Sequence, residues 1–486
     1  MHVDERDLET SSLSSQAAPL DEERLARSLR RKMDTHLLPF LSLLYLCSFL
    51  DRVNIGNAKV ANMDKDLGLT QAEYSWSLSI FFFGYILFEA PSNVILRAWS
   101  PSRWISFIMV IWGAISTSMA AVQNASGLLA ARFFLGFAEA GLFPGVLYYL
   151  SMWYTRSEQA VRIGIFFAAA NIAGAFGGIL AYGIARMDGI GGLEGWRWIF
   201  LLEGIPTILL ALVCFFYLPD SPSHASFLTQ EERAFSRIRM EREFGKGASH
   251  GTGDKRIRWT LVFQALKDPK VPLHAVLAFF GSVPMFSLSL FLPTIVRGLG
   301  FTSLSAQAMS SPPYVVGCLC LLAWSWVSDR NRERGFHVAI PLSLACIGYI
   351  CLCFVRGTAA QYVLTILTAT FVFSHVPVVL SWPSNNLAGP AKRAASLGLI
   401  QSLGNLGGVL GGQIYRDKDG PYFVRGHIIC AALCGAGAIS ALTIRYYLHW
   451  VNRKRDHISP LPPGQQDLLL TDEAINDSDP RFRYIL

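Results

Sequence analysis

Apolar residues occur along this chain in long runs that alternate with short polar segments. Twelve of these runs are about 20 residues long, the length that an α-helix needs to cross the hydrocarbon core of a bilayer. The predicted spans are 36–56, 76–97, 103–122, 126–154, 161–186, 196–218, 270–296, 308–327, 338–355, 359–382, 394–415 and 425–450. The pattern therefore predicts an all-α membrane protein with twelve transmembrane helices.

The composition agrees with a chain that is mostly surrounded by lipid. Of its 486 residues, 52% are hydrophobic and only 16% are charged, whereas soluble domains carry roughly 25% charged residues. The mean hydropathy is +0.36. We therefore interpret the length as one membrane protein and not as several soluble domains.

The polar segments divide the chain into two halves of six spans each. Residues 1–35 are charged and rich in serine, and they lack the apolar core of a signal peptide, so we predict a disordered cytosolic tail. The predicted halves are 36–218 and 270–450, separated by a polar loop at 219–269 and followed by a polar tail at 451–486.

The distribution of basic residues predicts which side of the membrane each segment faces. Of the 42 lysines and arginines, 30 fall on the side of the tails and central loop, 9 on the opposite side and 3 within spans. Cytosolic segments carry an excess of basic residues in membrane proteins. Both tails and the central loop are therefore predicted to be cytosolic. The net charge of +7 then reflects anionic lipid, and no nucleic-acid partner is predicted.

The sequence shows no pattern typical of a metal site, a cofactor site or an enzyme. All nine cysteines lie in apolar spans, without the paired histidine or cysteine ligands that a zinc site requires. No phosphate-binding loop or nucleophile triad accompanies them. We therefore predict no metal, no cofactor, no ATP-driven pumping and no enzymatic activity.

Two segments indicate an internal repeat. "GIFFAAANIAGAFGG" at 164–178 and "GLIQSLGNLGGVLGG" at 398–412 share one asparagine and four glycines at the same spacing, offset by 234 residues, and "LGLT" at 67–70 matches "LGFT" at 299–302. The offset spans six helices, an even number, so both copies have the same orientation in the membrane. Such a parallel repeat is typical of major facilitator transporters.

Charged residues inside the predicted spans are the strongest functional candidates, because lipid makes them costly. With a rise of 1.5 Å per residue, Asp51, Arg52 and Arg132 lie at similar depth, and Glu139 lies two turns further along the face of Arg132. This ladder could be a closed structural salt bridge. It could also couple two ligands, since arginine grips a carboxylate with two hydrogen bonds and a desolvated carboxyl group can exchange a proton. We favour the second interpretation.

Further polar residues lie inside three other spans. They are Tyr85, Glu89 and Asn93 at four-residue spacing in the second span, Gln401 and Asn405 on one face of the eleventh, and His375 in the tenth. His375 is either a proton relay or a hydrogen-bonded core histidine. Arg445, near the end of the twelfth span, is expected to extend toward the cytosolic interface.

The short loop after the eighth span reads "SDRNRERG", residues 328–335. An aspartate followed by alternating arginines in a cytosolic loop resembles the gating motif of major facilitator transporters. Asp329 can accept hydrogen bonds from a helix N-terminus or from an arginine and so hold the inner face shut. Asp329 and Arg330 are the predicted gating residues, and the alternative is an ordinary basic loop. The equivalent loop after the second span lacks the aspartate.

Nearly the whole chain resembles the anion:cation symporter family of the major facilitator superfamily, and in particular the fungal allantoate permease type. The resemblance rests on "LDRVNIGNA" in the first span, "FEAPSN" in the second, "RFFLGFAEAGLFPG" in the fourth, "SWPSNNLAGPAKRA" in the tenth and eleventh, and the terminal "FRYIL". It implies proton-coupled uptake of a small organic anion, such as nicotinate, allantoate, pantothenate or tartrate, by a monomer in the plasma membrane.

The resemblance also implies roles for individual residues. It places proton coupling on Asp51 and Glu139, and anion binding on Arg52 and Arg132, with weaker support for Tyr85, Asn171, Gln401 and Asn405. Two other functions stay open at the level of sequence. The same ladder could serve an exporter of a metabolite acid, or the fold could belong to a sensor that does not transport. The short tails and intact ladder argue against the sensor.

Overall fold

The computed structural model describes residues 22–244, 267–387, 390–458 and 482–486. Within them the chain is helical and contains no strand. Twelve long helices, labelled α1 to α12, dominate, and two of them consist of two segments each. They are α1 (Leu38–Val60), α2 (Gln71–Ala98), α3 (Pro101–Ser118), α4 (Ala125–Glu139 and Leu142–Trp153), α5 (Arg156–Ile184), α6 (Gly195–Tyr217), α7 (Lys270–Gly298), α8 (Ser311–Asn331), α9 (Gly335–Phe354), α10 (Thr358–Ser374 and Val376–Asn386), α11 (Pro390–Gly411) and α12 (Val424–Ile458).

Among the described residues, ten helical stretches are long and apolar enough to cross a membrane. The helices α2 and α11, at 28 and 22 residues, are also long enough to cross a membrane. These two pack against each other in the interior, where Asn405 of α11 donates to Glu89 of α2. The prediction of a twelve-helix all-α membrane fold is confirmed.

The chain becomes helical earlier than the sequence predicts. Residues 22–36 of the predicted tail form a helix that leads into α1, with Leu29 and Met33 fully buried. Lys32 Nζ lies 2.8 Å from Glu232 Oε2 on the helix Gln230–Phe244, which belongs to the central loop. Burial opposes ionisation of Glu232, but the Lys32 ammonium and the Thr229 N–H hold its pKa below its usual range. Residues 1–21 lie outside the described residues.

The helices α4 and α10 are interrupted at equivalent positions of the two halves. The first segment of α4 ends at Glu139, and the first segment of α10 ends at Ser374. Shortly after each interruption stands a proline, Pro144 in α4 and Pro377 in α10. Proline has no N–H to donate to the carbonyl four residues earlier and its ring crowds that carbonyl, so it weakens the helix at this point.

The glycines of the predicted repeat hold the two halves together in a symmetric manner. A Cβ at Gly174 of α5 would lie 2.5 Å from the ring of Tyr314 of α8. At the equivalent position of the other half, a Cβ at Gly408 of α11 would overlap the ring of Phe82 of α2. Only glycine allows these close approaches. Each copy of the repeat thus packs against an aromatic residue of the opposite half, which confirms the two parallel six-helix repeats.

The two halves are joined by polar contacts at the end that is predicted to face outward. We call the contact between Lys59 and Asp417 the outer latch, because it connects the end of α1 to the segment before α12 with Nζ and Oδ1 2.7 Å apart. The Lys59 ammonium also lies 4.2 Å from the Tyr74 ring centroid. Nearby, Gln307 donates to the Asn57 carbonyl and Ser311 to the Ala175 carbonyl. The structure is therefore closed on this side.

Replacing Asp417 with asparagine should open the outer side more often. The substitution leaves the Lys59 ammonium, which is buried, without its charged partner, while Asp417 is half-exposed. A loss of about 1 kcal/mol from the closed state corresponds to an increase of about fivefold in opening. The measurement is labelling of a cysteine at the cavity residue Ala170 by an impermeant thiol reagent added outside intact cells. Asp64→Asn, on the same side, is the matched control, and equal labelling of both variants would contradict a latch.

The segment 482–486 folds back onto the ends of the second-half helices that are predicted to face the cytosol. Trp382 and Asn386 of α10 donate to the carbonyl of Ile485 at 3.0 and 2.8 Å. Tyr484 accepts a hydrogen bond from Lys270 of α7, and its ring lies 4.5 Å from that ammonium. Phe482 and Tyr484 are both buried. The segment thus ties together helices that are distant in sequence.

Candidate functional site

A cavity of about 70 Å³ lies between the two halves, at the depth where α4 and α10 are interrupted. Its lining includes two tyrosines and five phenylalanines, which are Phe49, Phe143, Phe167, Phe286 and Phe373. Its polar lining contains six residues that the sequence singles out. They are Arg52, Tyr85, Asn171, His375, Gln401 and Asn405. The fold therefore gathers predicted residues of α1, α2, α5, α10 and α11 around one space.

Arg52 is the cationic residue of the cavity wall. Its Nη2 donates to Glu139 Oε2 at 3.1 Å, and its guanidinium lies 5.2 Å from the ring centroids of Phe81 and Tyr85. The two rings stabilise the cation through their π faces. The Arg52 Nε is buried without a hydrogen-bond partner. The guanidinium is thus held in position, and its Nε–H group remains available to donate a hydrogen bond.

Glu139 lies directly behind Arg52, at the point where the first segment of α4 ends. Its Oε2 also accepts a hydrogen bond from Ser48 at 3.1 Å, whereas its Oε1 is buried and has no partner. The carboxyl group is almost inaccessible to solvent. Arg52, which lines the cavity, bonds directly to this carboxyl group, so the two groups form one unit.

Arg132 does not form the pair with Glu139 that their common helix face suggests. Its Nε donates to the Ser77 carbonyl at 3.3 Å and its Nη2 to the Arg52 carbonyl at 3.4 Å. Its side chain is fully buried, and it is not part of the cavity lining. Arg132 therefore supports the backbone of Arg52 from behind and does not reach the cavity in this conformation.

Asp51 points away from its neighbour Arg52, toward α3. Its two carboxylate oxygens accept hydrogen bonds from Ser116 Oγ at 2.6 Å and Trp112 Nε1 at 3.2 Å. One turn further along α1, Asn54 donates to Glu203 of α6. Sequence reasoning missed Glu203, although it is the one acidic residue within α6 and that position alone makes it a candidate.

Glu89 connects the halves on another side of the cavity. Its Oε2 accepts hydrogen bonds from Ser402 and Asn405 of α11, each at 3.3 Å, and Gln401 donates to Asn405 at 3.4 Å. The side chain of Asn93, the third member of the predicted stripe, lies outside the described residues. The polar stripe of α2 therefore serves at least in part to join α2 to α11.

His375 occupies the interruption in α10 and lines the cavity opposite Arg52. Its imidazole packs against Gly281 of α7, where a Cβ would overlap Nε2. Glycine at 281 is thus required for the close approach of α7 to the interrupted helix.

In the predicted gating loop, Asp329 forms an ion pair with Arg334 at 2.5 Å. Arg330 lies over the ring of Trp326 at 5.5 Å. The neighbouring Glu333 accepts a hydrogen bond from Arg445 of α12 at 3.0 Å, so Arg445 extends toward this loop.

Replacing Asp329 with alanine should slow transport while substrate binding stays measurable. The Asp329 carboxylate is half-exposed and distant from the cavity lining, so its loss is expected to shift the balance between conformations by about 1 kcal/mol, or about fivefold. Uptake rate and equilibrium binding measured on the same preparation check this. Arg330→Ala, which does not remove the ion pair with Arg334, should have a smaller effect. A wild-type uptake rate for Asp329→Ala would show that the loop does not gate.

A family model described as Major Facilitator Superfamily matches residues 41–412 of this chain. The chain belongs to this superfamily. Its fold and the central position of its cavity agree with that membership, and the family is one of membrane transporters and not of enzymes.

Known members of the superfamily are similar over nearly the full length. An uncharacterized transporter of Schizosaccharomyces pombe is 36% identical over 463 residues, covering 95% of this chain and 91% of that protein. The MFS-type transporter cnsO of Penicillium expansum is 36% identical, covering 95% and 90%. A protein of Agrobacterium vitis with the provisional name of tartrate transporter is 35% identical, covering 83% and 93%.

Solved structures of this superfamily show the same fold. A bacterial homologue of the human lysosomal transporter Spinster, in an inward-facing and occupied conformation, superimposes with a TM-score of 0.62, covering 84% of this chain and 95% of that one at 15% identity. The xylose transporter XylE of E. coli, in a partially occluded inward-open conformation, also gives a TM-score of 0.62, covering 85% and 97% at 12% identity.

Proposed function

We propose that this major facilitator protein takes up a small organic anion together with protons, as a symporter of the anion:cation type. One observation carries the proposal: the Arg52 guanidinium lines the cavity while it forms an ion pair with the buried Glu139 carboxylate. An arginine in this position can bind either the internal carboxylate or the carboxylate of a substrate. The two anions therefore compete for one cation.

The protonation state of Glu139 determines which of the two anions binds Arg52. Protonation of Glu139 removes its negative charge and weakens its hold on Arg52, whose planar fork can then bind a substrate carboxylate with two hydrogen bonds. Because linkage is reciprocal, a bound anion also favours protonation of Glu139. Proton and anion thus bind together and leave together, which is the requirement for symport. Asp51 is proposed as a second proton-coupling residue, from the α3 side of α1.

The rest of the cavity indicates what kind of anion fits. The amides of Asn171, Gln401 and Asn405 can bind hydroxyl or ring-nitrogen groups of a substrate, while phenylalanines cover its apolar surface. The cavity volume is about 70 Å³ and the structure is closed on the outer side, so it must open for a substrate to enter from there. A small carboxylate fits best, and the provisional tartrate name of one relative supports the same class. We place the protein, as a monomer, in the plasma membrane.

The test is uptake of labelled carboxylic acids by cells that lack their own permeases, at two external pH values. One or more carboxylates should enter faster at the lower pH, and a protonophore should abolish accumulation. Nicotinate and nicotinamide form a matched pair, because they share a ring and differ in the negative charge. Equal uptake of the amide, or uptake that does not depend on pH, would contradict proton-coupled anion transport. Efflux without uptake would favour the exporter.

A further inference from the structure

The carboxyl group of Glu203 lies between α6 and α1, away from the cavity, and its environment differs from that of Glu139. It is 6% exposed, and its Oε2 accepts a hydrogen bond from Asn54 Nδ2 at 2.5 Å. Asn54 is fully buried. Glu203 and Asn54 thus form an acid–amide contact inside the first half that the Arg52–Glu139 unit does not include.

Two oxygens of this contact lack hydrogen-bond donors. Glu203 Oε1 and Asn54 Oδ1 are both buried without a partner. If Glu203 is ionised, both atoms are acceptors, and each carries the cost of an unsatisfied buried polar group. A proton on Oε1 converts this oxygen into a donor and can supply the Asn54 carbonyl oxygen as well. One proton therefore provides a hydrogen bond for both oxygens.

Among the described residues, no cationic side chain is paired with Glu203, so a proton is what can neutralise its charge. The titratable groups that face it come from α1, namely Asp51 and Cys47, and neither is a cation. The α3 helix presents Trp112 and Ser116, both bonded to Asp51. The described cationic side chains on α6 and on the elements packed against it are either engaged elsewhere or exposed. Arg52 pairs with Glu139, Lys59 with Asp417, Arg162 with Asp34, Arg186 with Tyr182 and Arg197 with Glu194, while Arg103 of α3 is exposed.

We propose that Glu203 and Asn54 form a further proton-binding site. A proton is held on Glu203 Oε1, and this O–H group donates a hydrogen bond to the Asn54 carbonyl oxygen. The proton comes from hydronium: one of its O–H bonds breaks as the Glu203 O–H bond forms, which leaves water and neutralises one buried charge. An ionised carboxylate without a cation is among the most costly groups to bury. In the conformation closed on the outer side, the site therefore holds its proton at neutral pH.

The site lies next to Asp51. Asn54 follows Asp51 by three residues on α1, so the two side chains lie on the same side of the helix. Ionisation of Asp51 places a negative charge near Glu203 and strengthens its hold on the proton. This part of the inference rests on the proposed symport: if protons drive uptake, Glu203 provides a proton position in addition to Asp51 and Glu139.

The test is pH-difference infrared spectroscopy of the purified full chain in lipid, which detects protonated carboxyl groups directly. We expect the wild type to show a protonated-carboxyl band at neutral pH that Glu203→Gln removes and the matched variant Glu139→Gln leaves in place. Asn54→Leu should shift the band, because the carboxyl group loses its amide partner. A proton count by titration should fall by one in Glu203→Gln.

The outcomes separate this site from the transport proposal. An identical band and proton count in Glu203→Gln and wild type would overturn the site. If Glu203→Gln does not fold, Glu203→Asp keeps an ionisable group one methylene shorter, and the site predicts a shifted band while an ionised Glu203 predicts none. Neither readout requires transport. A lost band in a protein that takes up no carboxylate would sustain the site and refute the symport.

Discussion

Replacing Arg52 with lysine should weaken binding of the carboxylate substrate by roughly tenfold to over a hundredfold. Lysine keeps the charge but cannot form two parallel hydrogen bonds to one carboxylate. It also loses the cation–π contacts of the guanidinium with the rings of Phe81 and Tyr85. Equilibrium binding of the transported acid to purified protein measures the effect. Arg186→Lys, an exposed position at the outer end of α5, is the matched control.

The same measurement on Arg132→Lys separates two arrangements of the site. In the structure Arg132 bonds to the backbone of Arg52 and Ser77 and does not line the cavity. Its replacement should therefore act indirectly, through the position of Arg52, and cost less affinity than Arg52→Lys. A greater loss in Arg132→Lys than in Arg52→Lys would mean that Arg132 itself grips the anion in another conformation.

Replacing Glu139 with glutamine should abolish accumulation against a gradient while leaving binding and exchange intact. Glutamine resembles a permanently protonated glutamate, and its amide oxygen can still accept the hydrogen bonds from Arg52 and Ser48. It cannot release a proton, so the proton gradient no longer drives uptake. Counterflow exchange, proton-driven uptake and expression are measured side by side. Glu73→Gln is the matched control, since glutamine also suits the capping box at the start of α2.

The direction of the pH effect follows from the same pair. As pH falls, more Glu139 is protonated, Arg52 is released and anion binding strengthens. In Glu139→Gln this dependence should weaken and binding should be tight at every pH. A Glu139→Gln variant that folds well and still concentrates substrate would refute the coupling role. A purely structural pair predicts instead a fall in folded protein, because Arg52 would remain buried with its charge uncompensated.

The parts of the fold that depend on local rules could be predicted from the sequence. Length and hydropathy predict the helices, and the glycine spacing predicts the two halves, because Gly174 and Gly408 stand where another residue would overlap an aromatic ring. The cavity residues Tyr85, Asn171, Gln401 and Asn405 could also be found, since a polar side chain inside a span needs protein or water around it.

Partner choice among the buried polar groups could not be predicted. Asp51 and Arg52 are neighbours in sequence, but consecutive helical positions face about 100° apart, so one bonds to α3 and the other to α4. Arg132 and Glu139 share a helix face, yet the interruption of α4 ends the helix at Glu139 and Arg52 takes the carboxylate. These outcomes depend on how helices are placed relative to each other.

The prolines of α4 and α10 mark two helix interruptions at the same depth in the molecule. A short helical segment follows each interruption, Leu142–Trp153 in α4 and Val376–Asn386 in α10. The interruption breaks the continuous run of backbone hydrogen bonds in each helix, so the angle between its two segments can change at this point. Bending at cavity depth can then narrow or widen the inner entrance to the cavity. A change in the side from which the cavity is reached does not then require the two halves to move as rigid blocks.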